Sequence, residues 1–231
     1  MDKQNTLFAQ RLFLVLAGIF IASLVTCNLI FQKFFSWSPF GLYTFELSVG
    51  ILPYPITFLI TDLISEIYGK RRANQVVLAG LMASVFVMGV ILIAEYVPAT
   101  TWSPVNDQTF TKVFQLTGVA VFASMVAYLL AQLLDIRIFH YWKQKTNGRH
   151  LWLRNNFSTF SSQFADTAIV LILLSVAGAI EWSRFWLLLF NGVLFKWLVA
   201  LLDTPLLYFV TWFLRRKFGL APGEDIDNKQ S

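Results

Sequence analysis

Apolar residues fill six long stretches of this chain, at about 12–35, 45–68, 75–97, 114–141, 157–180 and 185–214, and polar residues gather mostly in the connections between them. A bilayer hydrocarbon core about 30 Å thick is crossed by ~20 residues of α-helix, so each stretch is long enough to span. The last three can tilt or run past the membrane surface. The period-2 alternation of a membrane β-barrel is absent, which leaves helices to satisfy the backbone polar groups in lipid. The pattern predicts an all-α polytopic membrane protein. A bundle of six transmembrane helices forms one domain over 1–220, and a polar, disordered cytoplasmic tail follows over 221–231.

Composition strengthens this reading: 57% of the 231 residues are hydrophobic and 13% are charged, against roughly 25% charged in soluble domains. The first apolar run is too long for a signal-peptide core and lacks an A-x-A site, so it reads as the first span. The 18 lysines and arginines give a net charge of +5, which is read as topology and not as nucleic-acid binding. Lys70, Arg71, Arg72, the basic loop from Lys143 to Arg154, and Arg215, Arg216 and Lys217 fall on one side. Lys33, Lys112 and Arg184 fall on the other, and Lys196 stays in the membrane. The positive-inside rule then places both termini and the basic loops in the cytoplasm.

The connections carry further signals. The 36–44 segment, with Trp37, Pro39, Gly41 and Tyr43, reads as an outer turn with aromatic interface anchors. The 98–106 segment is the longest outer connection, and 181–184 is so short that spans 5 and 6 must be antiparallel neighbours. Pro53 and Pro55 flank Tyr54 inside span 2, and Pro205 follows Asp203 in span 6. These positions predict kinks or breaks whose freed carbonyls line a cavity or meet a neighbour. Small residues at four-residue spacing, such as Gly80/Ser84 and Ala123/Ala127/Ala131, mark close helix packing, either within the bundle or in a homodimer.

The charges inside the stretches narrow the function. An ionisable group at mid-bilayer costs ~3 kcal/mol on insertion scales, so it faces the bundle interior. Span 2 holds Asp62 and Glu66 on one face, span 4 holds Gln132 and Asp135, and span 5 holds Ser158, Ser162, Gln163 and Asp166. Span 6 holds Asn191, Lys196 and Asp203, and span 1 holds Asn28. Counting from the helix ends places Asp166, Lys196 and Asp203 near the middle and Asp62 and Gln132 in the cytoplasmic half. Glu66, Asp135 and Arg137 fall near the inner interface, where a charge can snorkel to water. A purely structural account pairs Lys196 with Asp203 on its own helix or with Asp166 across helices. The acids outnumber the one lysine, so carboxyls are left over, which points to protonation or to a cationic, donor-rich ligand. Trp197, beside Lys196, is a packing residue or an aromatic plate for a flat ligand.

Several chemistries lack their residues. There is no G-x-x-x-x-G-K-[ST] phosphate loop, and His140 and His150 are the only histidines, which excludes an H-E-x-x-H zinc site and a membrane Ser–His pair. Cys27 is the only cysteine, so no intramolecular disulfide forms. The expectation is a transporter and not an enzyme, with neither metal nor cofactor.

The run PITFLITDLISEIYG from Pro55 to Gly69 resembles the signature of the queuosine precursor transporter family, bacterial six-span proteins with a vitamin-uptake-like fold. The resemblance continues through Ala131-Gln132-Leu133-Leu134-Asp135, from Ser158 through Gln163 to Asp166-Thr167, and through Phe195-Lys196. It covers the chain from Asn28 to Leu214, with one departure, a glutamine at 163 where relatives accept asparagine. It implies an inner-membrane carrier of a 7-deazaguanine such as preQ0, preQ1 or queuine. A guanine-like edge offers adjacent N–H donors to a carboxylate and a carbonyl to Lys, Gln or Asn. The implied substrate-binding set is Asn28, Asp62, Gln132, Asp135, Gln163, Asp166 and Lys196. Within it Asp62 or Asp166 reads the donor edge, Gln132, Gln163 and Lys196 hold the carbonyl side, and Asn28 and Asp135 flank. The implied partners are this small molecule and membrane lipid, with no nucleic acid. Two other readings remain at this level: a substrate-binding subunit of an ATP-driven vitamin importer, and a structural membrane subunit.

Overall fold

The computed structural model describes residues 3–30, 33–41, 43–114, 118–176, 178 and 180–227. In chain order these form α1 (Lys3–Ile30), the strands β1 (Phe34–Trp37) and β2 (Phe45–Ser48), then α2 (Tyr54–Ile67) and α3 (Lys70–Tyr96). They continue as α4 (Asp107–Phe114), α5 (Gly118–Lys145), α6 (Leu151–Val176) and α7 (Trp182–Phe218). Among the described residues, α1, α2 with the turn before it, α3, α6 and α7 are long and apolar enough to cross a membrane. The all-α membrane class stands.

The boundary between the first two apolar stretches is corrected. In place of two helices joined by a turn, an antiparallel hairpin occupies the expected end of the first stretch and start of the second, pairing Phe35 with Leu47 and Trp37 with Phe45. The Phe-Glu-Leu-Ser run alternates at the strand period, so Phe45 and Leu47 turn inward while Glu46 faces out. Phe40 and Gly41 adopt positive φ and reverse the chain. Pro53 and Pro55 therefore do not break a helix but start one. Pro53 caps α2 and Pro55 lies in its first turn, where an N–H has no intrahelical acceptor to lose. Pro205 does lie inside a helix, and the 37-residue α7 continues through it.

Two connections also differ from expectation. The short helix α4 forms where only loop was expected, with the Asn106 side chain accepting from Thr109 N at 2.8 Å. Position 114, where a span was expected to start, is the last described residue of α4; α5 is described from Gly118, and residues 115–117 lie outside the described set. The basic inner loop expected from Lys143 to Arg154 contracts to a tight turn, because α5 runs to Lys145 and α6 starts at Leu151. Asn147, Gly148 and His150 all take positive φ there.

Helix α1 packs on α2 and α3, α2 also packs on α7, and α5 and α6 lie side by side, as do α6 and α7. Phe20, Ile64, Ile67, Val77, Ile136, Phe139 and Leu207 fill one continuous core between them. A Cβ at Gly80 would sit 2.7 Å from the Phe20 ring, so the small residue sets the approach of α1 to α3. The segment expected to be a loose tail packs as far as Asp227. Ile226 joins the core, Asp225 is buried, and Arg215 donates to the carbonyls of Ala221 and Glu224. An apolar side chain and a buried acid within a polar segment supply the contacts that composition alone hides. Residues 228–231 lie outside the described set.

Candidate functional site

The inward face of α2 carries Tyr54, Thr61, Asp62 and Glu66, and facing residues of α5, α6 and α7 meet each in turn. At 1.5 Å per residue, Tyr54 and Glu66 are about 18 Å apart along the axis. The result is a ladder of polar contacts through the middle of an apolar bundle.

At the hairpin end, Tyr43 Oη donates to Asn191 Oδ1, beneath an aromatic cluster of Trp37, Phe45 and Phe195 with ring centres 5.7–5.9 Å apart. The next level holds the membrane lysine. Lys196 Nζ lies 2.8 Å from Asp166 Oδ2 and 3.1 Å from Thr167 Oγ1, and 4.3 Å from the centre of the Tyr54 ring. Tyr54 Oη donates to the same Asp166 oxygen at 2.6 Å. A carboxylate is thus held between an ammonium and a phenol, with the ammonium lying over an aromatic face.

One turn inward, Gln132 Nε2 donates to Tyr128 Oη at 2.6 Å and to Thr61 Oγ1 at 3.4 Å. Its carbonyl Oε1 and that of Gln163, both buried, receive no hydrogen bond. Below them the carboxyls of Asp62 and Asp135 are near enough to interact directly. Ser162 Oγ donates to Asp135 Oδ1 at 3.0 Å and Thr159 Oγ1 to Asp62 Oδ2 at 3.4 Å. The innermost level is ionic. Glu66 meets Arg154 at 2.5 Å, Arg215 Nε at 3.1 Å and Lys143 at 3.9 Å.

Six of the seven expected site residues line this ladder: Asp62, Gln132, Asp135, Gln163, Asp166 and Lys196. Asn28 does not join them, because its amide turns to Ser84 of α3 at 3.5 Å. Of the two partners open to Lys196, the structure selects Asp166, while Asp203 makes no ion pair among the described residues. Trp197 is a clamp between helices and not a plate in the site: its Nε1 donates to the Phe160 carbonyl at 3.2 Å and its ring packs on Phe160. Glu66 is only 1% exposed and does not snorkel, and Arg154, expected in a loop, is equally buried.

Sequence reasoning did not single out Tyr54, Tyr128, Arg154 or Arg215 as parts of one system. Tyr54 could have been flagged by its place between two prolines at a helix start. Arg154 lies four residues before Ser158 on the polar face of α6, which was a readable signal. Arg215 is masked by the Arg-Arg-Lys run that sets topology.

A multi-pass helical bundle with an unbroken polar ladder at its centre is the architecture of a membrane carrier. Residues 48–210 match the family described as "Putative vitamin uptake transporter", and the chain belongs to that family. A Bacillus subtilis (strain 168) protein named "Probable queuosine precursor transporter" is 28% identical over 173 residues, covering 72% of each chain. The "Queuosine precursor transporter" of Escherichia coli (strain K12) is 28% identical over 129 residues, covering 56% of this chain and 55% of its own. A Haemophilus influenzae protein named "Probable queuosine precursor transporter" is 29% identical over 130 residues, covering 55% of this chain and 51% of its own. The family resemblance of the Pro55–Gly69 run is borne out. No solved structure matches the chain.

Proposed function

We propose that this chain carries queuosine precursors, 7-deazaguanine bases, inward across the bacterial inner membrane, binding them at the level of Gln132, Gln163, Asp166 and Lys196. The observation that carries this reading is the surplus of acceptors there. Two buried carboxamide oxygens lack donors, directly inward of a carboxylate held by Lys196 and Tyr54. Leaving such oxygens unpaired costs about 1–3 kcal/mol each, and a guest rich in N–H donors recovers that energy on binding. A deazaguanine is such a guest. Its pyrimidine edge presents adjacent N–H groups to Asp166 and the two glutamines, and its carbonyl takes the Lys196 ammonium. Tyr54 and Tyr128, 5.9 Å apart and nearly perpendicular, supply apolar walls for a flat ring.

In this reading α5, 28 residues long, is the sixth span. The ionic level around Glu66 and the basic ends of α5 and α7 mark the cytoplasmic side, with both termini there. Uptake of labelled preQ0, preQ1 and queuine by a transport-null host expressing this chain alone tests the proposal. Accumulation that falls at least tenfold in Asp166→Asn and Lys196→Ala, at matched expression, supports it. Uptake equal to that of empty cells, together with no binding of any of the three bases to purified protein, refutes it.

A further inference from the structure

The carboxyls of Asp62 on α2 and Asp135 on α5 are 2% and 0% exposed and touch each other at the centre of the bundle. Their outer oxygens are satisfied by hydroxyls of α6, Thr159 on Asp62 and Ser162 on Asp135. The remaining oxygens, Asp62 Oδ1 and Asp135 Oδ2, make no hydrogen bond, and Ser158 of α6, the other hydroxyl near Asp135, donates to the Asn155 carbonyl. One proton placed between the two carboxyls satisfies both orphaned oxygens at once. Without it, two bare carboxylates would face each other in a medium that screens poorly.

No cation of the surrounding elements takes the proton's place among the described residues. On α2, Glu66 lies one turn inward and is bound to Arg154 of α6 and Arg215 of α7. On α6, Asp166 lies one turn outward and is bound to Lys196 of α7. On α5, Lys143 turns to Glu66 and Asp225, and Tyr128 is engaged by Gln132. Asp203 of α7 is half-buried and makes no ion pair with either carboxyl. These basic residues are committed to other acids and Arg137 of α5 is exposed, so the pair is left to a proton.

We propose that Asp62 and Asp135 bind one proton between them and that this proton travels with the substrate, making the chain a proton-coupled carrier. Closing α2 against α5 is allowed only with a proton aboard, taken from the outer aqueous phase. Parting the two helices toward the cytoplasm separates the carboxyls, rehydrates them and releases the same proton inside. One proton is taken up and one released per cycle, and no other bond is made or broken. The inference rests on the transport reading above and adds its driving force.

Two measurements separate the proposal from that reading. Infrared spectroscopy of the purified protein, with no substrate added, reads the shared proton directly. A protonated-carboxyl band is expected at neutral pH that is lost in Asp135→Asn and in Asp62→Asn. Its absence from the wild-type protein overturns the proposal whatever the cargo. In proteoliposomes an acid-outside gradient of one pH unit is expected to raise wild-type accumulation of a 7-deazaguanine up to about tenfold. The same gradient has no effect in either Asn variant, while Asp135→Glu keeps the response. Thermal unfolding of each variant checks that the bundle is intact. Wild-type accumulation that ignores the gradient overturns the coupling. The band without uptake of any base condemns the substrate reading and leaves the proton site standing.

Discussion

Two acidic sites lie one helical turn apart on the same face of α2, and they are treated in opposite ways. Glu66 is 1% exposed and is met by Arg154, Arg215 and Lys143, more positive charge than it can neutralise alone. Asp62 is 2% exposed and is met by a second carboxyl and a threonine hydroxyl. Burial is the same and the local balance of charge is reversed. A buried ion surrounded by opposite charge fixes geometry, since moving any member would leave a charge uncompensated. A buried group short of donors holds free energy in reserve, which a ligand or a proton can release. The comparison separates an ionic level suited to holding the bundle together from middle levels that, in the function proposed above, meet the guest.

Breaking the saturated site has the largest expected effect. Glu66→Gln leaves the buried Arg154 without its counter-charge and removes the acid that Arg215 and Lys143 share with it; it should destabilise the folded bundle by about 3–5 kcal/mol, read as a lower melting temperature in detergent. An unchanged melting temperature would remove the structural assignment of that level. Neutralising the middle pair together, Asp166→Asn with Lys196→Met, leaves no unpaired charge, so the fold should persist while uptake falls about 10–100-fold. Retained uptake in that double variant would move the binding level elsewhere. The sharpest contrast with Glu66 comes from Gln163→Met. It removes an orphaned carbonyl, so stability should hold or rise by up to about 1 kcal/mol while substrate affinity drops about tenfold. Stability and affinity falling together would show that Gln163 is structural. The smallest effect belongs to Arg72→Ala, because Arg72 and Asp227 are 46% and 35% exposed at 3.4 Å. Their pair should contribute below about 1 kcal/mol, and a chemical-denaturation midpoint within error of wild type is expected.

The fold class was legible because lipid imposes one rule on every span: the stretches had to be apolar and long. The candidate site was legible for a related reason, since charges that survive inside such stretches have few places to face, and six of seven expected residues do converge. Where the reading went astray, local chemistry had two outcomes. Pro53 and Pro55 fit a broken helix or a helix start, and only the hairpin ahead of them decides for the start. Asn28 is a polar residue within an apolar span, yet its amide meets a serine on α3 and not the ladder. Arg154 and Arg215 counted toward a topology signal that needs only their charge, so nothing in the sequence separated them from the lysines beside them. The packing of Ile226 and Asp225 depends on a groove built by distant segments, which no local pattern reports.

That last contact has a consequence for how the protein is made. Gly148 and Gly223 approach so closely that a Cβ on the first would lie 2.3 Å from the backbone of the second. The residues that close the face around the α5–α6 turn therefore come from the last of the described residues. Synthesis runs from the N-terminus, so every span can insert before this closing piece has left the ribosome. Any reporter fused to this protein should therefore be joined beyond Asp227, so that the late-emerging contact is left free to form.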